Sequence, residues 1–354
     1  MATPPTLVDV AAPEPVRVAP RQRQKRGGWA FVLLAVLVLL VGGAAAGYWH
    51  FFHYEPVGAR HVPAGSTIAV RVDLQEIALF GPVRRHLWPV FLEEPQATSH
   101  PAETSLADRI QRATGIDLGR DVRELIFVNH GRTDSGKWLL IIGGKFPRGV
   151  VSALARLAQE EKAGWELSPA KDALVSKSLG IALGQAADRT LILASDSATL
   201  ALALPEQEGA KAIGLPEGGA FGFAVGASVW NEWGSGMASS LVPGMRSLAQ
   251  IQGCNGRFVL GDSPLVEMLC RLAPGVDAEK VRASLLGIAK TVQGLALLAG
   301  GTDNFGERKA LAELQIENLG DGRLRLYAPW PLEGLDRGAE LLAKKVRGLR
   351  LMAN

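Results

Sequence analysis

The sequence predicts an α+β protein in which one N-terminal transmembrane helix precedes two related units of mainly antiparallel sheet with packed helices. Three features predict this class. An uncharged apolar run lies near the N-terminus, short apolar segments separated by Gly/Asp turns fill the rest of the chain, and one sequence block recurs in the second half. Helices and strands in this order are typical of α+β folds.

The apolar run extends from Trp29 to Trp49, 21 residues without a charged side chain. At about 1.5 Å of rise per residue it can cross a hydrocarbon core of roughly 30 Å. Four basic residues stand directly before it, so the positive-inside rule places the N-terminus in the cytoplasm. We therefore predict a disordered cytoplasmic tail over 1–28 and a single-pass signal anchor over 29–52.

A cleavable signal peptide is the alternative interpretation of this run. Phe31 to Val41 has the length of a signal-peptide core, and the small residues Ala44 to Ala46 suit a peptidase that would cut after Ala46. Either outcome exports residues 56–354. With no Asn-X-Ser/Thr sequon in the chain, the sequence favours a bacterial inner membrane protein whose main domain is periplasmic or extracellular.

The net charge of the chain comes from its cytoplasmic end. The 354 residues include 38 basic and 35 acidic side chains, and five basic and two acidic ones lie in 1–28, which leaves 33 of each sign beyond them. A neutral exported part has no net field that attracts nucleic acid, so no nucleic-acid partner is expected. A local basic patch stays possible.

Two cysteines, Cys254 and Cys270, lie on the exported side. An isolated pair in an oxidising compartment is typical of a disulfide, and two separate buried thiols are the alternative. No neighbouring histidine or CxxC completes a metal-ligand set, so no metal or cofactor is expected.

Each predicted unit opens with a strand after a glycine turn. The segments are GSTIAVRVDL from Gly65 and GGAFGFAVGAS from Gly218. The first unit is predicted over 60–205 and the second over 218–354. Residues 206–217, within LPEQEGAKAIGLPEGG, are predicted to link them.

The recurring block lies at 110–134 and again at 281–303. Val122, Leu125 and Gly131 align with Val292, Leu295 and Gly301 at one offset. In the first copy, apolar runs on both sides of HGRTDSG predict a hairpin. By analogy we end the second helix near Ala289 and begin a strand near Thr291, although the apolar spacing from Val281 onward is helical.

The C-terminal part is predicted to contain a hairpin and a closing helix. ALAELQIEN and RLRLYAP alternate in polarity on the two sides of LGDG. The residues expected to face the core are Ala312, Leu314, Ile316, Leu324 and Leu326, and those expected to form charge pairs outside are Glu313, Glu317, Arg323 and Arg325. The final helix is predicted from about Glu333.

Candidate chemistry is sparse, so no catalytic residue is assigned and an enzyme is not expected. His130, Asp134 and Ser135 lie within six residues, but at a hairpin tip, where such residues usually serve the turn. Trp230 and Trp233 are three apart and share a face if this segment is helical. They are a candidate contact surface, with core packing as the alternative.

The layout resembles a group of bacterial envelope proteins of unknown function, in which an α+β domain begins just beyond the membrane with a Val-Pro-Ala segment. The matching residues are Val62, Pro63 and Ala64, followed by the GIDLGRDV…LIFV block, and the resemblance covers 60 to about 200. It implies fold and location but brings no catalytic residues.

The sequence thus favours a non-catalytic envelope interaction or scaffold protein, in contact with the lipid bilayer and with a protein partner. The alternatives are a small-ligand binding or sensory domain, with its ligand in the crevice between the units, and, last, a hydrolase.

Overall fold

A computed structural model describes residues 56–92, 106–131, 136–168, 173–235, 244–298 and 303–353. These residues belong to one compact unit, Tyr54–Asn354. The predicted tail and transmembrane helix, 1–52, lie outside the described residues. Among the described helices none is both long and apolar enough to span a bilayer.

Within the described residues, twelve strands form one sheet in which every neighbouring pair is antiparallel. The strands are β1 Ser66–Asp73, β2 Val122–His130, β3 Trp138–Gly144, β4 Trp165–Ser168, β5 Ala173–Ser176, β6 Ile181–Gln185, β7 Leu191–Ala194, β8 Phe221–Gly226, β9 Ile251–Val259, β10 Leu265–Leu272, β11 Gln315–Gly320 and β12 Arg323–Pro329. The predicted α+β class with a mainly antiparallel sheet is confirmed.

Helices connect the strands on both faces of the sheet. They are α1 Leu74–Leu79, α2 Gly81–Leu92, α3 Leu106–Thr114, α4 Leu118–Asp121, α5 Val150–Glu160, α6 Ser197–Ala203, α7 Gly209–Ile213, α8 Ala227–Ser235, α9 Ala278–Leu298, α10 Glu307–Ala312 and α11 Leu332–Ala353, with 3-10 turns at Gly58–His61 and Met245–Gln250.

The two strands predicted to open the units lie side by side at the middle of the sheet. From β1 outward the order is β1-β2-β3-β7-β6-β5-β4, and from β8 outward it is β8-β9-β10-β12-β11. The two series share one pattern: β3 is followed in the sheet by β7 and then β6, and β10 is followed by β12 and then β11. The first series adds β4 and β5 at its outer edge.

The main core changes side at the β1–β8 pair. Ala69 of β1 and Ala224 of β8 are opposite each other and fully buried on one face, here named the front face. In the first series this face packs under α6, α7 and the 58–61 turn. In the second series the core lies on the back face, where Cys254, Leu324 and Leu326 pack against α8 and α9. The front face of the second series carries charged side chains instead.

The predicted end of the second helix near Ala289 is wrong. Helix α9 continues to Leu298, so the residues from Thr291 onward do not form the predicted strand. The apolar spacing decides the outcome, because Val281, Leu285 and Ile288 lie on one stripe that packs onto the back-face core. The alignment at 110–134 and 281–303 matched residue types between a strand and a helix.

The C-terminal hairpin forms, with one change of boundary. Ile316, Leu324 and Leu326 are buried as predicted, but Ala312 ends helix α10 and the strand begins only at Gln315. The final helix begins at Leu332, one residue from the predicted start. Within the predicted linker, 206–217, helix α7 packs into the front-face core.

Gly209, the first residue of α7, is predicted to be intolerant of any side chain. A Cβ there would lie 2.2 Å from the carbonyl oxygen of Val62 and 2.3 Å from that of Pro63. Because backbone cannot yield easily, we expect Gly209→Ala to lower the free energy of unfolding by about 1–3 kcal/mol in urea titrations. The matched control is Gly287→Ala in α9, where a Cβ meets nothing within 4 Å. The control should gain about 0.5–1 kcal/mol, and equal effects of the two changes would refute the close packing.

Candidate functional site

A cavity of about 470 Å³ opens where α7 meets strands β8, β9 and β10 on the front face. Three cationic side chains line it: Lys211 from α7, Arg271 from β10 and Arg323 from β12. No aspartate or glutamate is among the described residues that line it. Gly65 and Ser66 from the start of β1 also contribute, so both series of strands meet here. We name this site the junction cavity.

Strand register places the two arginines and two glycines in one row across the sheet. Gly226 of β8 is opposite Gly253 of β9, which is opposite Arg271, which in turn is opposite Arg323. Directly opposed residues of antiparallel strands share a face, so all four lie on the front face. Because Gly226 and Gly253 have no side chains, the backbone of β8 and β9 is exposed beside the arginines. These two glycines form the floor of the cavity.

The Arg271–Arg323 pair is electrostatically unfavourable by itself. Like charges directly opposite each other on neighbouring strands destabilise a sheet. Within the described chain, Lys211 and Arg271 have no acidic partner, and Arg323 has only Asp321 at 3.9 Å. Asp321 is 91% exposed, so it neutralises Arg323 weakly. An anion bound between the arginines would remove the repulsion.

The same face contains a compensated arrangement in the next two rows. There Arg257 and Arg325 both contact Glu267, at 3.1 Å and 2.8 Å. Partial burial acts to raise the pKa of Glu267, but hydrogen bonds from the two arginines outweigh it and lower the pKa. Arg257 and Arg325 are therefore matched by a partly buried acid, whereas in the cavity Arg323 has only the exposed Asp321 and Arg271 has no acidic partner within the described chain.

A disulfide lies directly beneath this row. Cys254 and Cys270 are opposite residues of β9 and β10, and their sulfur atoms are joined at 1.94 Å. Both side chains are buried on the back face. They are the sequence neighbours of Gly253 and Arg271, so the crosslink holds the register of the cavity floor.

The two predicted contact tryptophans have different environments. Their rings meet edge to face with centroids 5.2 Å apart on α8. Trp230 packs into the back-face core, whereas Trp233 is 46% exposed. Only Trp233 is available to a partner, and the contact surface stays a prediction.

The hairpin cluster gains no catalytic geometry from the described residues. The hairpin predicted around 131–137 forms between β2 and β3, with His130 the last residue of β2. Burial, followed by the charge of Lys137, lowers the pKa of His130. Asp134 and Ser135 lie outside the described residues. Across the described ranges, no three His, Cys, Asp or Glu side chains come close enough to hold a metal ion.

A buried ionic network joins the start of the described chain to the centre of the sheet. Arg71 of β1 and Glu124 of β2 are 2% and 1% exposed and hydrogen bond to each other. Arg71 also donates to the Glu217 carbonyl oxygen at 2.6 Å and to Asp73 at 3.2 Å, while Glu124 accepts from the Gly58 amide at 3.1 Å. Each charge is thus matched, and the network is structural.

His61 forms a second connection near the start of the chain. Its ring is 1% exposed, with Nδ1 2.9 Å from the Ala203 carbonyl oxygen and Nε2 3.0 Å from an Asp188 oxygen. Burial acts to raise the pKa of Asp188, but hydrogen bonds from the Thr190 backbone and the His61 ring outweigh it. The pKa therefore lies below the ordinary 3.8.

This Asp188 contact predicts a specific loss of stability in acid. The pKa of Asp188 is lower in the folded state than in the unfolded state, so its contact contributes fully to the free energy of unfolding at neutral pH. That contribution is lost as the pH falls through the lowered pKa, below about pH 4. In urea titrations we expect Asp188→Asn to lower the free energy of unfolding by about 1.5–3 kcal/mol at pH 7. Between pH 7 and pH 3, the free energy of unfolding of this variant should fall by less than that of wild type. Asp262→Asn, on the surface, is the control and should follow wild type. Parallel pH profiles for D188N and wild type would contradict the assignment.

A larger cavity, about 560 Å³, lies between α1, the start of α2, the β9–β10 turn and the start of α11. Two of its four lining acids, Asp336 and Glu76, already have partners. Asp336 contacts Arg85 at 2.8 Å and His86 at 3.1 Å, and Glu76 accepts from the Leu260 amide at 3.4 Å. Burial raises the pKa of Glu76, which makes it a weaker anion. The junction cavity is therefore the stronger candidate site.

The cavity residues were missed in the sequence because their placement depends on pairing between distant segments. Arg323 was expected to belong to an outer set of charge pairs with Glu313, Glu317 and Arg325. Glu317 and Arg325 do pair across the strands at 3.8 Å, but Glu313 follows the last residue of helix α10 and Arg323 lines the cavity. The available signal was the excess of arginine over acid at outward positions of β10 and β12.

Comparison with known proteins identifies no family. No family model matches the chain, and no curated protein matches it. The solved structures include one described as "Structure of crystal form I of TP0453", with a TM-score of 0.41 and 11% sequence identity, covering 84% of this chain and 99% of that one. A likeness at this level supports no functional argument, and the predicted resemblance to envelope proteins stays a prediction.

Proposed function

We propose that this protein is a non-catalytic binding module, tethered to the outer face of a bacterial inner membrane, that holds a small acidic ligand in the junction cavity. One observation carries the proposal. Arg271 and Arg323 face each other across two strands with Lys211 nearby, and no described acid lines the cavity. A site with uncompensated positive charge favours an anion.

The chemistry of the lining suits binding rather than turnover. Guanidinium groups stay protonated at neutral pH and cannot act as general bases. The hydroxyl of Ser66 donates to the Pro63 carbonyl oxygen at 2.6 Å, so it is not paired with a base that would activate it. The cavity volume is within the range of small-molecule sites.

The location and architecture of the module complete the proposal. The signal anchor at 29–52 would hold residues 56–354 outside the cytoplasm. The matching strand order from β1 and from β8 favours two related units joined edge to edge, with the ligand in the crevice between them. The residues that line this crevice come from both series of strands, which supports its assignment as the ligand site.

A protein-binding role at Trp233 is the second candidate function. Its indole is 46% exposed beside a buried aromatic neighbour, which is a rigid support for a contact residue. In-cell crosslinking and co-purification with wild type and with Trp233→Ala tests this role. Recovery of the same partners in equal yield from both would exclude Trp233 as the contact.

Anion-dependent thermal stabilisation tests the binding module. The full chain, in an uncharged detergent, is heated with pyrophosphate, with citrate, and with spermidine as the cationic comparison. We expect at least one anion to raise the Tm by about a few degrees in wild type and not in Arg271→Gln/Arg323→Gln. Arg325→Gln, two residues from Arg323 on the same strand and face, is the matched control and should respond like wild type. An equal response of the double variant and wild type, or no response to any anion, would overturn the proposal.

A further inference from the structure

We propose that the ligand of the junction cavity carries a phosphate-type dianion, bound between Arg271 and Arg323, and that its uncharged part lies over the floor of Gly226 and Gly253. This inference rests on the proposed function and specifies its ligand. The phosphate group can belong to a free small molecule or to a lipid headgroup.

Charge balance favours a dianion over a single carboxylate. Three cations line the cavity, no acid is among its described lining residues, and the exposed Asp321 contacts Arg323 at 3.9 Å. One carboxylate can contact two guanidinium groups, but it carries a single charge and would leave two of the three cationic charges uncompensated. A phosphomonoester or pyrophosphate brings about two charges to one place, which suits two opposed arginines.

The geometry of the pair leads to the same chemistry. Opposite residues on antiparallel strands have Cβ atoms about 4.5–5.5 Å apart, so both guanidinium groups can reach one central atom. A phosphoryl group offers three oxygens around one phosphorus and can accept from two guanidinium forks at once. The compensated Arg257–Glu267–Arg325 cluster on the same face illustrates two arginines converging on one anionic group.

The glycine floor provides room for the rest of the ligand. A Cβ built at Gly253 would meet nothing nearer than the Val225 carbonyl oxygen at 3.4 Å, and one at Gly226 would lie 3.4 Å from that of Thr67. Neither glycine is therefore required by a close backbone contact. Ile213, Leu269 and Gln252 line the same cavity, which suits an uncharged body with some polar groups.

Gly253 also offers a test that leaves the arginines in place. Because a side chain fits there, Gly253→Val should fold, and valine suits a strand. Its methyl groups would occupy the floor on the front face. Gly253→Val is thus expected to block a ligand with a body while sparing inorganic pyrophosphate.

Isothermal titration of the full chain in uncharged detergent compares pyrophosphate, glycerol phosphate, acetate and citrate. The phosphates are expected to bind at least about tenfold more tightly than either carboxylate, with at least about a tenfold loss in Arg271→Gln and in Arg323→Gln. Arg325→Gln should bind like wild type. Gly253→Val should weaken glycerol phosphate by at least about tenfold and leave pyrophosphate within about twofold.

A second arm distinguishes the two sources of phosphate. The full chain is mixed with phosphatidylcholine vesicles with or without phosphatidic acid, and co-sedimentation is measured. Phosphatidic-acid-dependent binding that is lost in Arg271→Gln/Arg323→Gln assigns a lipid headgroup, whereas binding of glycerol phosphate alone assigns a free molecule. Both results support the inference.

The failures are separable. If citrate binds through the arginines as tightly as the phosphates, the ligand class is wrong and the anion-binding module stands. If no anion and no vesicle responds to the arginine substitutions, both proposals fail.

Discussion

Replacing Glu124 by alanine is expected to lower the free energy of unfolding by about 3–5 kcal/mol, one of the two largest effects that the structure predicts. The change leaves Arg71 as a charge that is 2% exposed without its main counterion, and it leaves the Gly58 amide without its acceptor. Asp73 remains near Arg71, but at 3.2 Å it contacts the outer end of the guanidinium. Urea titration with an unchanged m-value would measure the effect.

Two further variants separate the buried charge from general damage. Arg71→Met/Glu124→Leu removes both charges and should be markedly less destabilising than Glu124→Ala, because no unmatched ion stays buried. Glu166→Ala removes an exposed pair, with Glu166 65% and Lys177 77% exposed, and should cost less than about 1 kcal/mol. A Glu124→Ala cost as small as that of Glu166→Ala would refute a buried network.

Removal of the Cys254–Cys270 disulfide is the second large effect. For a loop with a sequence separation of 16, the chain-entropy relation gives about 3 kcal/mol. The sulfurs also fill space in the back-face core, so we expect Cys254→Ala/Cys270→Ala to lose at least this amount. The loss should be accompanied by weaker anion binding, because the crosslink holds the row of Gly253 and Arg271.

Reduction of the wild-type protein provides the control for the crosslink itself. Urea titrations of wild type in strong reductant should show most of the loss seen in the double variant, since reduction opens the same loop without deleting the sulfurs. A difference of less than about 1 kcal/mol between the free energies of unfolding of oxidised wild type and the double variant would contradict a stabilising crosslink.

The local parts of the fold were predictable from sequence. The apolar runs on both sides of HGRTDSG predict the β2–β3 hairpin, and the glycine turns at Gly65 and Gly218 predict the two central strands, β1 and β8. These features depend on residues close together in the chain, where period and turn chemistry are sufficient. The closing helix, α11, was predictable for the same reason.

Features that depend on distant pairing were not predictable in this way. The β1–β8 pair joins the two strand series into one sheet, and nothing in either strand specifies its neighbour. Arg271 and Arg323 become opposite only because β12 inserts between β10 and β11. The helix α9 could have been predicted to its full length from its apolar spacing, but a matching of residue types with 110–134 overrode that signal.

The buried charges were predictable only in part: the sequence indicates that they are buried, but not which residues they pair with. Arg71 and Glu124 stand at inward positions of alternating strands, beside Ala69 and Ile126, and opposite charges at such positions indicate a buried pair. Their pairing with each other becomes visible only through the β1–β2 register, in which Arg71 is opposite Ile126 and Glu124 is opposite Asp73. His61 and Asp188 likewise carry no local signal of their contact.

An anomalous difference map from crystals of the full chain grown with tungstate, a heavy-atom analogue of phosphate, tests the central claim most directly. The same experiment on Arg271→Gln/Arg323→Gln is its control. We predict one dominant tungsten peak in the junction cavity, between the guanidinium groups of Arg271 and Arg323, that is absent from the double variant. Peaks confined to other surfaces, or a cavity peak that persists without the two arginines, would contradict an anion site there.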